Sequence, residues 1–332
     1  MEDQQKTLDK LPYESEQSVK SIADKQNFVN YEIVSKNLST GGGNYLGILY
    51  EVDIKGKTTE GDKEINLFIK NIVESQESMS IYSISGVFKT ECWVYKELAI
   101  IFTELQNEAN IPHNERYKIP YAFEESNEKS LILEHLGKRG FKVYNRMELN
   151  SLAYSEMSIK ELAKFHALTF VIKDKRPNYF NENIINKKVQ YIFNEDWNFF
   201  VKNMANYSIS CLEPKVKEKV GDIVLKKIDD YPKYMCDTSG VSTLCHGDYK
   251  LTNIMAKEDN GQLTEVLPID FQILHYGCPL LDFMYFIFQG SDREFRRKHL
   301  VYLKDLYYGT MTSFLHRFGI DIKQHFPRVE FE

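Results

Sequence analysis

The sequence predicts an α+β fold with two unequal lobes, in which a small antiparallel sheet is followed by a mostly helical region. Two observations support this prediction. The beginning of the chain carries runs of β-branched and aromatic residues separated by glycine-containing turns, which is typical of sheet strands. From residue 155 onward the apolar residues recur at helical spacing, and one Asn-Gly hairpin signal interrupts them. Strands and helices that are segregated along a chain pack as separate layers with a cleft between them.

Strands and one long helix are predicted in the first part of the chain. The first three strands are Tyr31–Leu38, Tyr45–Ile54 and Glu64–Val73, with a glycine-rich turn at Ser39–Asn44 and a loop at residues 55–64. In Val87–Asn107 the apolar residues recur every three to four positions, which predicts an amphipathic helix. Two short strands are then expected at residues 121–123 and 130–134.

The remaining elements are predicted from caps, periodicity and turn residues. Ser158 and Glu161 have the S-x-x-E spacing of a capping box, so a helix that contains Glu161–Val171 is expected to begin there. Asn253–Lys257 and Val266–Asp270 flank an Asp-Asn-Gly turn, which predicts a β-hairpin. Further helices are expected at residues 191–204, 215–228 and 297–318.

Composition excludes several classes of protein. The 332 residues, 42% hydrophobic and 13% aromatic, can form a sizeable core, and a net charge of −6 argues against a nucleic-acid partner. No run approaches the roughly 18–20 apolar residues that a membrane span needs. The five cysteines form no C-x-x-C pair, so we expect a soluble protein of a reducing compartment, the cytoplasm. Residues 1–26 are polar and aperiodic, which indicates a mobile tail or a weak helix.

One segment in the second half carries a motif with a chemical interpretation. It places His246, Asp248 and Asn253 in the order H-x-D-x-x-x-x-N, and Asp270 follows later in the run I-D-F-Q, after an apolar strand. In phosphoryl-transfer sites with this spacing, the first Asp accepts the proton of a hydroxyl, and the Asn and second Asp hold Mg²⁺. The motif alone also arises by chance. The predicted hairpin between Asn253 and Asp270 would bring them side by side, which favours the chemical interpretation.

The first lobe contains residues that such a site needs. Gly42, Gly43 and Asn44 lie in the glycine-rich turn, where backbone N–H groups could approach phosphates, although most such runs are only flexible loops. Lys70 lies in the third strand and Glu91 in the following helix. A strand lysine often only protects a sheet edge, and an acid early in a helix often only complements its dipole. Their order and spacing favour an ion pair that orients the lysine toward phosphates.

Other candidates lie at the junction between the lobes and in the helical region. Glu134 and Leu136 fall where a hinge would offer backbone groups to adenine. His166 is on the apolar face of its helix and is expected to be a packed core residue rather than a catalyst. A thiol–histidine pair of Cys245 and His246 is disfavoured, because adjacent residues of a strand point to opposite faces.

Together these motifs resemble the ecdysteroid-kinase-like, or CHK kinase-like, family, which is related to choline kinases and aminoglycoside phosphotransferases. The resemblance runs from about Asn27 to the C-terminus. The segments that carry it are Leu244–Met255 (LCHGDYKLTNIM), Pro268–Gln272 (PIDFQ), Gly277–Asp282 (GCPLLD), Ala163–Ala167 (AKFHA) and Leu131–Lys142 (LILEHLGKRGFK).

The resemblance implies a protein-kinase-like fold with an N-lobe at residues 27–136 and a C-lobe at 137–332. It also implies ATP- and Mg²⁺-dependent phosphorylation of a hydroxyl of a small molecule, such as an ecdysteroid or a xenobiotic. The roles it implies are a catalytic base at Asp248, metal ligands at Asn253 and Asp270, an ATP-phosphate contact at Lys70 oriented by Glu91, and a structural brace at Asp282.

The chain departs from the family pattern at three places. Lys250 stands where the family often has Trp, and His135 stands beside the hinge glutamate where an acid is common. The family usually continues some tens of residues past Phe326-Pro-Arg, so we expect a C-lobe that is truncated after Glu332.

The sequence also bears on the acceptor. No A-P-E element stands between Asp270 and Asp282, so a platform for a peptide substrate is missing. An aromatic-rich insertion at residues 178–234 is expected to wall a pocket for an apolar small molecule. The aromatic residues that could line it, or that could simply pack helices together, are Tyr191, Phe193, Trp197, Phe199 and Phe200.

Two alternatives stay open at this stage. One is a choline- or ethanolamine-type kinase, whose cationic substrate would need further acids or an aromatic cage. The other is a catalytically silent scaffold that binds nucleotide without transferring phosphate.

Overall fold

The computed structural model describes residues 10–38, 47–72 and 81–332 of the chain. Within them the fold is α+β, with an antiparallel sheet in an N-terminal lobe and a mostly helical C-terminal lobe, as the sequence predicts. The glycine-rich turn with Gly42, Gly43 and Asn44 lies outside the described residues. Among the described helices, none is both long enough and apolar enough to cross a bilayer.

The N-lobe is built on a four-stranded antiparallel sheet of order β1-β2-β3-β4. The strands are β1 (Phe28–Leu38), β2 (Gly47–Thr58), β3 (Gly61–Ile72) and β4 (Ser130–Glu134). The predicted loop at residues 55–64 is present but shorter, because β2 and β3 stay paired up to Thr58 and Gly61. The strand predicted at residues 121–123 is reduced to one isolated bridge between Ala122 and Leu133.

A helix, α1 (Tyr13–Lys25), covers one face of this sheet. Its buried side chains Val19 and Ile22 belong to a hydrophobic cluster with Val52 of β2 and Ile69 of β3. The sequence predicted either a mobile tail or a weak helix for this segment. Residues 13–25 form a helix.

The long helix predicted at residues 87–107 is present and connects the two lobes. It consists of α2 (Ile84–Trp93), a π-helical turn (Val94–Leu98) and α3 (Ala99–Glu108). Its apolar side chains pack into the large core of the C-lobe rather than into the cluster under α1. Single π-helical turns are frequent at functional sites.

Seven further helices form the C-lobe within the described residues. They are α4 (Leu152–Lys175), α5 (Pro177–Tyr179), α6 (Glu195–Ser210), α7 (Pro214–Cys236), α8 (Pro279–Gly290), α9 (Arg293–His316) and α10 (Arg328–Phe331). The capping box at Ser158 is a wrong prediction. The helix begins at Leu152, where the Ser151 side chain accepts a hydrogen bond from the backbone N–H of Tyr154.

Two small sheets position the H-x-D-x-x-x-x-N motif in the C-lobe. One contains β5 (Phe141–Lys142), β7 (Ile254–Asp259) and β8 (Gln262–Pro268), and the other pairs β6 (Thr243–Cys245) with β9 (His275–Gly277). The predicted hairpin is β7–β8. Asn260 and Gly261 turn it with φ angles of 49° and 77°, the left-handed conformation that such tight hairpin turns require.

Candidate active site

The hairpin brings the two ends of the motif together. The backbone N–H of Ile269 donates to the carbonyl oxygen of Asn253 at 2.9 Å. Asn253, just before β7, and Asp270, just after β8, therefore lie at neighbouring strand ends. Asp270 has a φ of 67°, an uncommon conformation for a residue with a side chain. Its backbone N–H donates to the hydroxyl of Tyr95, on the π-helical turn, at 3.3 Å. Backbone strain of this kind is concentrated at functional sites.

Lys70, Glu91 and Asp270 meet at the inner end of the cleft. Lys70 Nζ lies 2.7 Å from Glu91 Oε2 and 3.1 Å from Asp270 Oδ1. Burial alone would lower the pKa of Lys70, but the carboxylates of Asp270 and Glu91 outweigh it and raise that pKa to about 12. Burial raises the pKa of Glu91 to about 7, against the attraction of Lys70. Lys70 therefore presents a permanent positive charge to the cleft.

Asp248 lies at the other side of the same site, and its carboxylate is held by three donors. Lys250 Nζ is 2.7 Å from Oδ2, and Asn253 Nδ2 is 2.8 Å from the same oxygen. The hydroxyl of Tyr285, on α8, donates to Oδ1 at 3.0 Å. Gly247 precedes Asp248 with a φ of 82°, and a Cβ there would stand 2.4 Å from the carbonyl oxygen of Ile273, so only glycine fits.

A buried brace fixes the loop that carries Asp248. Asp282, in the first turn of α8, accepts the backbone N–H groups of His246 at 2.5 Å and Gly247 at 2.9 Å. His166 Nε2 lies 3.1 Å from the same carboxylate, and His166 Nδ1 lies 2.6 Å from the Tyr307 hydroxyl. Burial alone would raise the pKa of Asp282, but the hydrogen bond from His166 and the nearby histidines lower it, which keeps the carboxylate charged.

A cavity of about 440 Å³ extends from Lys70 to the junction between the lobes. Its inner end carries the charged and polar groups Lys70, Glu91, Asn253 and Asp270. Its remaining walls are mostly apolar and include Leu49, Phe68, Leu131, Met255 and Ile269, with Glu134, His135 and Leu136 at the outer end. An apolar slot that ends in a lysine and acids suits a flat ring joined to a phosphate chain.

Four tyrosines from separate segments lie near Asp248. They are Tyr82, Tyr191, Tyr231 and Tyr285, and burial, together with the negative charge of Asp248, raises the pKa of each. The rings of Tyr82 and Tyr191 lie 5.1 Å apart. This group is called the tyrosine cluster, and Tyr285 connects it to the carboxylate through its hydroxyl.

The aromatic residues of the predicted insertion divide into two sets. Tyr191 belongs to the tyrosine cluster, and Phe193 and Trp197 continue the aromatic packing from it, with Trp197 stacked on Tyr231 at 5.7 Å. Phe199 and Phe200 are 71% and 49% exposed. Sequence reasoning missed Tyr82, Tyr231 and Tyr285, and the only available signal was the abundance of tyrosine.

The lobes, the buried lysine–glutamate pair and the Asp–Asn loop define a protein of the protein-kinase-like fold. The sequence profile of one family with this fold, the ecdysteroid kinase-like family, matches residues 41–320. The chain therefore belongs to the ecdysteroid kinase-like family, and this membership supports a small-molecule kinase.

Comparisons with solved structures find distant similarity only. The GDP complex of aminoglycoside 2'-phosphotransferase-IIIa is 13% identical, with 92% of this chain and 89% of that chain covered and a TM-score of 0.41. Aminoglycoside-3'-phosphotransferase of type VIII is 13% identical, with coverages of 93% and 92% and a TM-score of 0.36. A glucosamine kinase is 10% identical, with coverages of 97% and 87% and a TM-score of 0.29. No curated protein sequence matches the chain.

Proposed function

We propose that the protein is an ATP- and Mg²⁺-dependent phosphotransferase that phosphorylates a hydroxyl of an apolar small molecule, such as an ecdysteroid or a xenobiotic alcohol or phenol. The observation that carries the proposal is the position of the Asp248 carboxylate. One carboxylate oxygen accepts Asn253, which lines the inner end of the cavity with Asp270, and the other accepts the hydroxyl of Tyr285 from the tyrosine cluster. A base between a nucleotide site and an acceptor site is the arrangement that phosphoryl transfer needs.

ATP would occupy the cavity. The apolar walls suit the adenine ring, and the backbone at Glu134 and Leu136 would offer hydrogen bonds to its edge. Lys70, oriented by Glu91, would contact the phosphates. The backbone at Gly42, Gly43 and Asn44 is proposed to cover them.

The residues at the inner end fit a magnesium ion. Asn253 uses its amide nitrogen on Asp248, at 2.8 Å from Oδ2, which leaves the amide oxygen as its ligand atom. With the Asp270 carboxylate it forms the hard oxygen donor set that Mg²⁺ prefers, completed by phosphate oxygens and water. When bound, the ion neutralises negative charge on the phosphates.

Each side chain has a separate role in the transfer step. Asp248 accepts the proton of the acceptor hydroxyl as the hydroxyl oxygen forms a bond to the γ-phosphorus. The bond from that phosphorus to the bridging oxygen breaks, and ADP leaves with the electron pair. Lys70 carries positive charge beside the phosphates throughout.

The tyrosine cluster supports an acceptor with a flat apolar part. Aromatic faces also attract cations, as a choline-type kinase would require. However, Lys250 lies 2.7 Å from Asp248 and places a positive charge beside the proposed base, which disfavours a cationic substrate. A silent scaffold would not need a carboxylate held between the two sites.

Replacement of the base tests the proposal. In Asp248→Asn, turnover should fall by about 10²–10⁴-fold, because general base catalysis is lost. ADP release against a panel of steroids and plant phenols measures turnover, and thermal shift with Mg·ATP should show that nucleotide binding is retained. Asp259→Asn, at the exposed end of the β7–β8 hairpin, is the matched control. Unchanged turnover in Asp248→Asn would contradict the proposal, and binding without ADP release for any acceptor would favour the scaffold.

A further inference from the structure

Position 272 distinguishes the I-D-F-Q run from the D-F-G motif of protein kinases, because glutamine stands there in place of glycine. The backbone N–H of Leu274 donates to the carbonyl oxygen of Phe271 at 3.2 Å, which closes a turn that contains Gln272. Phe271 is fully buried, and its ring lies 4.7 Å from that of His246. This packing anchors the turn, and Gln272 itself is only 9% exposed.

The amide of Gln272 lies between Asp270 and Lys70. With its nitrogen toward Asp270, the amide donates to Oδ1 at 3.1 Å, and its oxygen accepts Lys70 Nζ at 2.8 Å. Both contacts match the chemistry of the partners, because a carboxylate only accepts hydrogen bonds and an ammonium only donates them. A buried amide costs free energy unless it is hydrogen-bonded, and these two partners meet that need.

The two oxygens of Asp270 have different surroundings. Oδ1 accepts Lys70 Nζ at 3.1 Å and the Gln272 amide at 3.1 Å. Across residues 10–38, 47–72 and 81–332, no donor group is hydrogen-bonded to Oδ2, and the side chain is 34% exposed where it lines the cavity. Oδ2 is therefore the oxygen left for Mg²⁺ in the proposed donor set with Asn253.

Lys70 does not hold Asp270 in this orientation by itself once it serves a nucleotide. Three oxygens surround its ammonium group, from Glu91 at 2.7 Å, Gln272 at 2.8 Å and Asp270 at 3.1 Å, so each of its three N–H groups has a partner. A phosphate oxygen that binds Lys70 must displace one of them, and the Asp270 contact is the longest. The amide N–H of Gln272 has no part in phosphate binding, so it continues to hold Oδ1.

We propose that Gln272 is a positioning residue that fixes the Asp270 carboxylate through Oδ1 and thereby reserves Oδ2 for the metal ion of the nucleotide complex. This inference rests on the proposed phosphotransferase function. A group that hydrogen-bonds a metal ligand from outside the coordination sphere orients that ligand, and its loss typically lowers metal affinity by about 10–100-fold. Gln272 is neutral and exchanges no proton in the transfer step.

A metal-binding experiment tests this inference without an acceptor. Electron paramagnetic resonance measures the Mn²⁺ affinity of the full chain saturated with ADP, and calorimetry measures its ADP affinity in EDTA. Gln272→Met keeps the length of the side chain but removes both hydrogen bonds, so it should weaken Mn²⁺ binding by about 10–100-fold. It should change the ADP affinity in EDTA by less than about threefold, because Glu91 still orients Lys70. Gln272→Asn is one methylene too short to reach both partners and should weaken Mn²⁺ binding by at least about threefold.

Controls separate this role from a structural one. Gln262→Met makes the same replacement at an exposed position of β8, and it should leave both affinities unchanged. Equal weakening of Mn²⁺ and ADP binding in Gln272→Met would overturn the inference, since Gln272 would then only support the fold, and so would an unchanged Mn²⁺ affinity. If Gln272→Met does not fold, Gln272→Asn decides by the same criteria.

The same measurements distinguish this inference from the proposed function. If wild type and the variants show the expected contrast in Mn²⁺ affinity but wild type phosphorylates no acceptor, the proposed function fails and the inference stands. If wild type saturated with ADP binds no Mn²⁺, both fail.

Discussion

His275 is a buried histidine in β9 with one unsatisfied ring nitrogen. Its Nδ1 lies 3.1 Å from the carbonyl oxygen of Ile273, and its Nε2 has no hydrogen-bond partner among the described residues. Burial lowers the pKa of His275, because the charged ring would lose its hydration, and the hydrogen bond to Ile273 offsets only part of this effect. In the unfolded chain the same ring regains a pKa of about 6.5. Folding therefore favours the neutral form.

We expect the free energy of unfolding to fall as the pH drops from 7 to 5. Below about pH 6.5 the unfolded chain binds a proton at His275 that the folded chain does not, so the stability present at higher pH is progressively lost. His275→Asn, which keeps a donor for Ile273, should reduce this slope by up to about 1.4 kcal/mol per pH unit. Urea unfolding at three pH values measures the slope of the free energy of unfolding with pH. His113→Asn, at an exposed position, should keep the wild-type slope, and an unchanged slope in His275→Asn would reject the assignment.

The residues around Asp248 differ in how far they could be predicted from sequence. Lys250 and Asn253 lie within a few positions of the base, so a short motif places them beside it. Tyr285 reaches the same carboxylate from α8, and Tyr82 and Tyr231 lie on other elements outside the motif. Such contacts depend on how elements pack, and a single sequence carries no local signal for them.

At the scale of elements, two helices show why sequence patterns fail. Ser158 and Glu161 have capping-box spacing, but residues three apart are also neighbours on one face inside a helix. Ser158 is fully buried there, and its carbonyl oxygen accepts the Tyr249 hydroxyl. Helix α8 was not predicted, because its run PLLDFMYFIF also carries apolar residues at the exposed positions Met284, Tyr285 and Phe288. In contrast, the Asn-Gly turn of β7–β8 dictates its own backbone conformation, so the hairpin was predictable.

Helix α8 supplies two of the contacts that hold the loop with Asp248. Asp282 binds the backbone of His246 and Gly247, and Tyr285, about one turn further along, binds Asp248. His166 connects the same carboxylate to α4. The helix thus fixes both the backbone and the side chain of the proposed base.

Asp282→Asn should destabilise the fold and slow turnover. The amide lacks the charge that balances His166 and cannot accept both loop N–H groups as the carboxylate does. Loss of one partner from a buried charged network costs about 3–5 kcal/mol. Urea unfolding measures the stability, and ADP release at a temperature where the variant is folded measures turnover. Asp305→Asn breaks an exposed pair with Arg328 and should cost less than about 1 kcal/mol. If Asp282→Asn also lowered the free energy of unfolding by less than about 1 kcal/mol, the structural role of Asp282 would be refuted.

On the scale of the whole molecule, the sheet of the N-lobe separates two hydrophobic cores. The small core lies between the sheet and α1, and includes Ile22, Val52 and Ile69. The large core contains most of the C-lobe together with α2 and α3. Glu91 therefore lies on a helix that packs into the large core. Lys70 lies on β3, whose opposite face packs into the small core. Their ion pair joins the two cores at the inner end of the cavity.

The junction at Leu136 has a small cluster of its own. Leu136 packs with Phe141 of β5 and Leu267 of β8, so the first turn after β4 rests on the sheet that contains the β7–β8 hairpin. The sequence placed the lobe boundary at residue 136 from the end of an apolar run. The boundary itself stays a prediction, which limited proteolysis would test through cleavage near this turn.

If the small core unfolds as a separate cooperative unit, a destabilising substitution in it should change hydrogen exchange in the elements around it. Ile22→Ala removes a fully buried side chain and should cost about 2–5 kcal/mol. Hydrogen exchange should then accelerate in α1 and in strands β1 to β3, while α4 and α9 keep their wild-type protection. Mg·ATP affinity should fall as well, because β3 carries Lys70. Ile223→Ala, at a position that is 60% exposed, should change neither exchange nor affinity. Faster exchange spread evenly over both lobes would instead show that the two cores unfold as one unit.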